Sequence, residues 1–101
     1  MKVGIPTEDE IEELARAILV KWRVLGRKLH LKEPLLEEIN GIYTEQWEKG
    51  YNMLIYWKYV GSSFATYEHL DYALRHPHVG RQDLAEKFCS DWVSYNIVVL
   101  L

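Results

Sequence analysis

The stretch IEELARAILVKWRVLGRKL, residues 11–29, carries apolar side chains at Ile11, Leu14, Ala15, Ile18, Leu19, Trp22, Leu25 and Leu29. That three-and-four spacing keeps one face of an α-helix apolar for about five turns, so the stretch predicts one long amphipathic helix, or two with a bend near Trp22. Immediately before it, Thr7 and Glu10 stand at capping-box spacing. The hydroxyl and carboxylate of such a pair satisfy amides that the first turn leaves free, and the neighbouring Glu8 and Asp9 favour the positive end of the helix dipole.

The same signals recur along the chain. Glu33-Pro34 places a proline where its missing amide costs nothing, and Leu35, Leu36 and Ile39, with Gly41 behind them, predict a short second helix. Residues 41–44 are too short and mixed to assign. From Glu45 to Val60 a stripe of Trp47, Gly50, Tyr51, Leu54 and Trp57 predicts another helix, whose second half is apolar almost all round because of Met53, Ile55, Tyr56 and Tyr59. Such a helix is either central or carries exposed aromatics. Gly50 lies on the buried stripe, where the reason for a glycine is the close approach of a neighbour. Gly61-Ser62-Ser63 breaks the chain, and Thr66 caps a helix holding Tyr67, Leu70, Ala73 and Leu74, which His76-Pro77 ends. Gly80 opens a last helix with Leu84, Ala85, Phe88, Cys89 and Trp92 on one face. No segment alternates like a strand. The expected fold is all-α, a compact antiparallel bundle of five or six helices over residues 1–92. Residues 93–101 form an apolar C-terminal tail, whose composition predicts that something must cover it.

Composition narrows the function classes. A chain of 101 residues supports one core. The early acids are the wrong flank for a secretory signal. The longest apolar run, Ile97 to Leu101, falls far short of the about 20 residues a membrane span needs. Cys89 is the one cysteine, so an internal disulfide is excluded. The expectation is a soluble cytoplasmic chain with no membrane partner. A net charge of -3 gives no global attraction to nucleic acid. The charges nevertheless come in blocks. Residues 21–32 hold five bases (Lys21, Arg23, Arg27, Lys28, Lys32) and no acid, and residues 33–48 hold five acids (Glu33, Glu37, Glu38, Glu45, Glu48) and no base.

Catalytic and metal constellations do not emerge: His76 and His78 flank Pro77 without a third ligand, Cys89 sits on an apolar face, and Gly61-Ser62-Ser63 lacks the lysine of a phosphate loop. No enzyme, cofactor or metal is expected. The basic block could face nucleic acid on a recognition helix, but only Asn40 and Gln46 flank it as base readers.

Five patches in order carry a family resemblance: Trp22-x-x-Leu25-Gly26-x-x-Leu29-x-Leu31, then Ile39, then Met53-Leu54-x-x-Trp57, then Ala65-Thr66-x-x-x-Leu70-x-x-Ala73-Leu74, then Gly80-Arg81-x-Asp83-Leu84-Ala85-Glu86-Lys87. The series resembles a death domain, the six-helix module by which receptors and adaptors of apoptotic and inflammatory signalling bind one another. The resemblance implies a non-enzymatic module that assembles with other death domains, its own copies or heterotypic ones, in the cytoplasm. It makes Trp22 and Trp57 core residues and leaves Trp47 and Trp92 as either core or surface anchors. A caspase-recruitment or death-effector domain is the related alternative, and a nucleic-acid-binding helical domain is the alternative from another class. Within the resemblance, Lys21, Arg23, Arg27 and Lys28 are expected to meet Glu33, Glu37 and Glu38 of the next molecule in a head-to-tail oligomer. A second surface is expected at Arg75, His76, His78 and Arg81, facing Lys58, Tyr59 and Ser62.

Overall fold

A computed structural model describes residues 1–91. The tail expectation and Trp92 lie outside the described residues. Among the described residues six α-helices follow one another: α1 (Glu8–Ile18), α2 (Trp22–Lys28), α3 (Glu33–Ile42), α4 (Gln46–Val60), α5 (Tyr67–Arg75) and α6 (Gln82–Cys89). No strand occurs among the described residues. The result is an all-helical bundle, as the sequence predicts.

The first helix starts on the expected capping box: the Glu10 amide donates to Thr7 Oγ1 at 3.1 Å, and the Thr7 amide donates to the Glu10 carboxylate at 2.9 Å. It does not run on to Leu29. A single 3-10 turn, Leu19–Lys21, separates α1 from α2, with Leu19 at φ +44. The apolar stripe resumes in register beyond it, since Ile18 and Trp22 are both buried, whereas Leu19 and Val20 are turned to solvent. α2 ends on a 6→1 and 5→2 pair, the Leu31 amide to Gly26 O at 3.0 Å and the His30 amide to Arg27 O at 3.0 Å, with His30 at φ +68 in the position glycine usually takes. The Leu29–Lys32 link is short, so α3 folds straight back beside α2. No helix forms between α3 and α4. Gly80 does not open α6: it sits at φ +65 in the preceding turn, and the helix begins at Gln82.

α4 is the central element, packed on α1, α2 and α3, while α5 packs on α6. Trp57, Leu54 and Met53 of α4 are fully buried with Ile11, Leu14, Ile18, Leu25 and Leu36. Gly50 lets α1 come close: a Cβ there would lie 3.2 Å from Trp22 Cβ and 3.7 Å from Ala15 Cα. Residues 1–7 lie across the far side as a strap. Its Lys2 amide donates to Cys89 O at 2.8 Å, the Tyr67 amide donates to Gly4 O at 3.0 Å, and Lys58 Nζ donates to Pro6 O at 2.7 Å. Cys89 is buried, and burial pushes its thiol up to about 12, the behaviour of a small core residue and not of a nucleophile.

Candidate protein-interaction surface

The two charge blocks meet inside one chain. Because α3 folds back along α2, the guanidinium of Arg23 donates to Glu37 at 2.7 Å and Glu33 at 3.2 Å, and Arg27 pairs with Glu33. Hydrogen bonds from Arg27 outweigh desolvation and hold the Glu33 carboxyl below its ordinary value, and Glu37 and Glu33 likewise raise Arg23. The Arg23 Nε is buried without an acceptor, so this guanidinium is already partly desolvated. Four of the seven residues expected to pair between molecules therefore satisfy one another within the molecule. The remaining three, Lys21, Lys28 and Glu38, stay outside that network.

Lys21 and Lys28 instead join the second expected surface. Lys21 Nζ donates to His78 O at 3.1 Å, and Arg81 donates to Ala17 O at 3.2 Å, so the α5–α6 loop docks on the kink between α1 and α2. Within the loop the His78 amide donates to His76 Nδ1 at 3.1 Å, and the two rings lie 4.7 Å apart between centroids. Burial, then the nearby Lys28 and His78, lowers the pKa of His76. Two surfaces that are distant in sequence are thus one basic face built of Lys21, Lys28, His76 and His78. The other members are engaged locally: Arg75 with Asp71 at 3.0 Å, and Arg81 with Asp83 at 3.0 Å. Lys58 holds the strap through Pro6 O, and Tyr59 donates to the Glu8 carboxylate at the start of α1.

A second feature escaped the sequence. α3 and α4 leave an open groove between them, with Leu35, Ile42, Tyr43, Ile55 and Tyr56 around a space of about 400 Å³ and Glu38 on its rim. It continues past Tyr56 toward Leu31 and Lys32. Ile42 is 62 % exposed. The signal was present in the all-round apolar second half of α4, which left the helix either central or carrying exposed aromatics, but periodicity alone cannot say which face a neighbour leaves open. Trp47 is half-buried, with the Arg16 guanidinium 3.9 Å from its ring centroid, so it serves as the ledge for a charged side chain and not as deep core.

Among the described residues no group of three His, Cys, Asp or Glu could hold a metal, and no helix is long and apolar enough to cross a membrane. What the arrangement offers is surface: a basic face and a carboxylate-rimmed apolar groove. A comparison with curated proteins and one with solved structures each returned no match. A family model described as "Death domain" matches residues 8–92.

Proposed function

Because the chain belongs to the death-domain family, a family of protein-interaction modules, we propose that it docks onto other death domains, its own copies or heterotypic ones, as a cytoplasmic assembly step in apoptotic or inflammatory signalling. The observation that carries this reading is the separation of uncompensated charge. Lys21 and Lys28 carry the charge of the basic face, beside the His76–His78 loop, and Glu38 stands on the α3 side without an internal counter-ion among the described residues. Two unlike surfaces on one molecule favour head-to-tail contact, which leaves a free surface on each copy and propagates, where a self-complementary patch closes as a dimer.

In this reading Lys28 and Lys21, flanked by Arg23 and Arg27, meet Glu38, flanked by Glu33 and Glu37. The internally paired residues contribute only where the partner replaces the ion pair they already make. The loop members Arg75, His76, His78 and Arg81 extend the basic side, and Lys58 and Tyr59 mark the corner they approach in the neighbour. The nucleic-acid alternative is disfavoured by the same geometry, since two of the five bases in the block are neutralised by α3 carboxylates and cannot release phosphate counter-ions without breaking those pairs.

Light scattering coupled to size exclusion, run at several concentrations and at low and high salt, tests the reading. Growth with concentration that salt reverses, abolished by Lys28→Glu and partly restored when that variant is mixed with Glu38→Lys, is the expected result. Indifference of self-association and of binding to a panel of other death domains to both reversals would remove it.

A further inference from the structure

We propose that the kink between α1 and α2 is an apolar knob, Leu19 and Val20, which inserts into the α3–α4 groove of a second copy of the chain. The proposal rests on the assembly reading above and deepens it by naming an apolar contact that charge alone does not provide.

Three otherwise unexplained observations converge on it. Leu19 adopts φ +44 with ψ -116, a backbone region that residues with a Cβ rarely enter, and such strain persists only where the surroundings fix it. Here the buried Ile18 and Trp22 clamp both sides, and the Leu19 amide is held by Ala15 O. The effect of the strain is to turn two apolar side chains outward, Leu19 at 45 % and Val20 at 69 % exposure, from a stretch whose periodicity would have buried the first of them. Second, the groove beside Leu35, Ile42, Tyr43 and Tyr56 is open and of a size to accept aliphatic side chains. Third, charges of opposite sign stand beside the two surfaces: Lys21 follows the knob directly, and Glu38 borders the part of the groove around Ile42 and Tyr43, whereas Lys32 borders only its extension past Tyr56.

Knob and groove are different surfaces, so the contact is heterologous and repeats from copy to copy. It also differs from a purely charged contact in its response to salt, because screening weakens the ion pairs and leaves the apolar burial intact.

The test uses the full chain and two single variants, Val20→Asp and Ile42→Asp, each first shown to keep the parent's helical circular dichroism and thermal midpoint. Expected in sedimentation velocity at high salt is concentration-dependent association of the parent, weakened at least about tenfold in either variant alone, because each has lost one partner surface of about one aliphatic side chain. Mixing the two variants should then give a one-to-one dimer and nothing larger, since one supplies an intact knob and the other an intact groove. A variant that associates like the parent, or a mixture that stays monomeric, overturns the proposal. A parent that is monomeric throughout overturns it as well and leaves the groove to another protein or to the chain's own terminal residues. Lys28→Glu measured alongside separates the two readings: its loss of association at low salt with the knob variants unaffected overturns the knob alone, and the converse overturns the charged contact alone.

Discussion

Glu10 joins three parts of the fold, and its replacement by glutamine should cost stability in a pH-dependent way. One carboxylate oxygen accepts the Thr7 amide at 2.9 Å and the Tyr67 hydroxyl at 2.5 Å, and the other accepts Lys2 Nζ at 2.9 Å. The cap of α1, the first turn of α5 and the N-terminal strap are therefore tied at one residue. Burial alone would push this carboxyl up, but the Thr7 amide, the Tyr67 hydroxyl and Lys2 together bring it from 4.5 to about 2. Burial, and after it the same contact with Glu10, raises the Tyr67 phenol to about 12.

A carboxyl whose folded pKa lies below its unfolded value stabilises the fold above the unfolded value, and the stabilisation disappears as pH falls toward the folded one. The window for Glu10 is thus from pH about 4.5 down to about 2. The difference corresponds to at most roughly 3 kcal/mol, and with the side chain partly exposed a value of about 2 kcal/mol is the better expectation. Urea unfolding followed by tryptophan fluorescence, for the parent and Glu10→Gln at pH 7, 4 and 2.5, measures it. The variant should be less stable by about 2 kcal/mol at pH 7, with the gap narrowing below pH 4.5 to roughly a quarter of that at pH 2.5. A gap that does not change with pH would show that the amide merely packs worse, and a gap below about 0.5 kcal/mol at pH 7 would refute the linkage of strap, cap and α5 through this carboxylate.

Other perturbations are equally direct. Gly50→Ala gains about 1 kcal/mol of helix propensity but puts a methyl 3.2 Å from Trp22 Cβ at the crossing of α1 and α4, where overpacking costs about 1–3 kcal/mol; thermal unfolding should show a net loss, and a gain would mean the helices separate freely. Leu19→Gly removes a left-handed leucine worth about 1–2 kcal/mol of strain while adding backbone entropy of about 1 kcal/mol, so its midpoint in denaturant should stay within about 1 kcal/mol of the parent, and a loss above 2 kcal/mol would show the conformation is not strained. Cys89, fully buried with its thiol near 12, should resist an aromatic disulfide reagent at pH 8 and react at the rate of global unfolding; rapid labelling of folded protein would contradict its burial.

What the sequence disclosed and what it concealed follow from the range of the interactions. The Thr7–Glu10 box, Thr66 as cap of α5, the stop at His76-Pro77 and the close approach at Gly50 were legible because each is set by a few neighbouring residues or one helical face. The stripe from Ile11 to Leu29 predicted a helix and allowed a bend, but not that Leu19 would leave it, since a 3-10 turn with one left-handed residue preserves the register on either side. Nor did composition reveal that Arg23 and Arg27 would pair with Glu33 and Glu37. That pairing was within reach: the link between the two blocks is a few residues long, so the helices must lie side by side, and opposite charge on adjacent antiparallel helices pairs before it meets a partner. The joining of Lys21 and Lys28 with the His76–His78 loop depends on how α5 and α6 dock, which no local signal carries.

The internal ion pairs also set the terms on which a partner binds. A neighbour's carboxylate that approached Arg23 would have to displace Glu37 at 2.7 Å from a guanidinium whose Nε is already buried, so exchanging one carboxylate for another gains little and leaves the expelled Glu37 to be resolvated. New electrostatic gain is confined to groups without such a partner, Lys28 and Glu38 foremost, and exposed pairs of that kind contribute only about 0–1 kcal/mol each. A contact of useful strength then has to add apolar area, and the described surface offers it where strain has turned Leu19 and Val20 outward and where α3 and α4 part around Tyr56. Charge would set the direction of approach and the speed of encounter, and aliphatic burial would set the lifetime, so salt should act mainly on the association rate and Val20→Asp mainly on the dissociation rate.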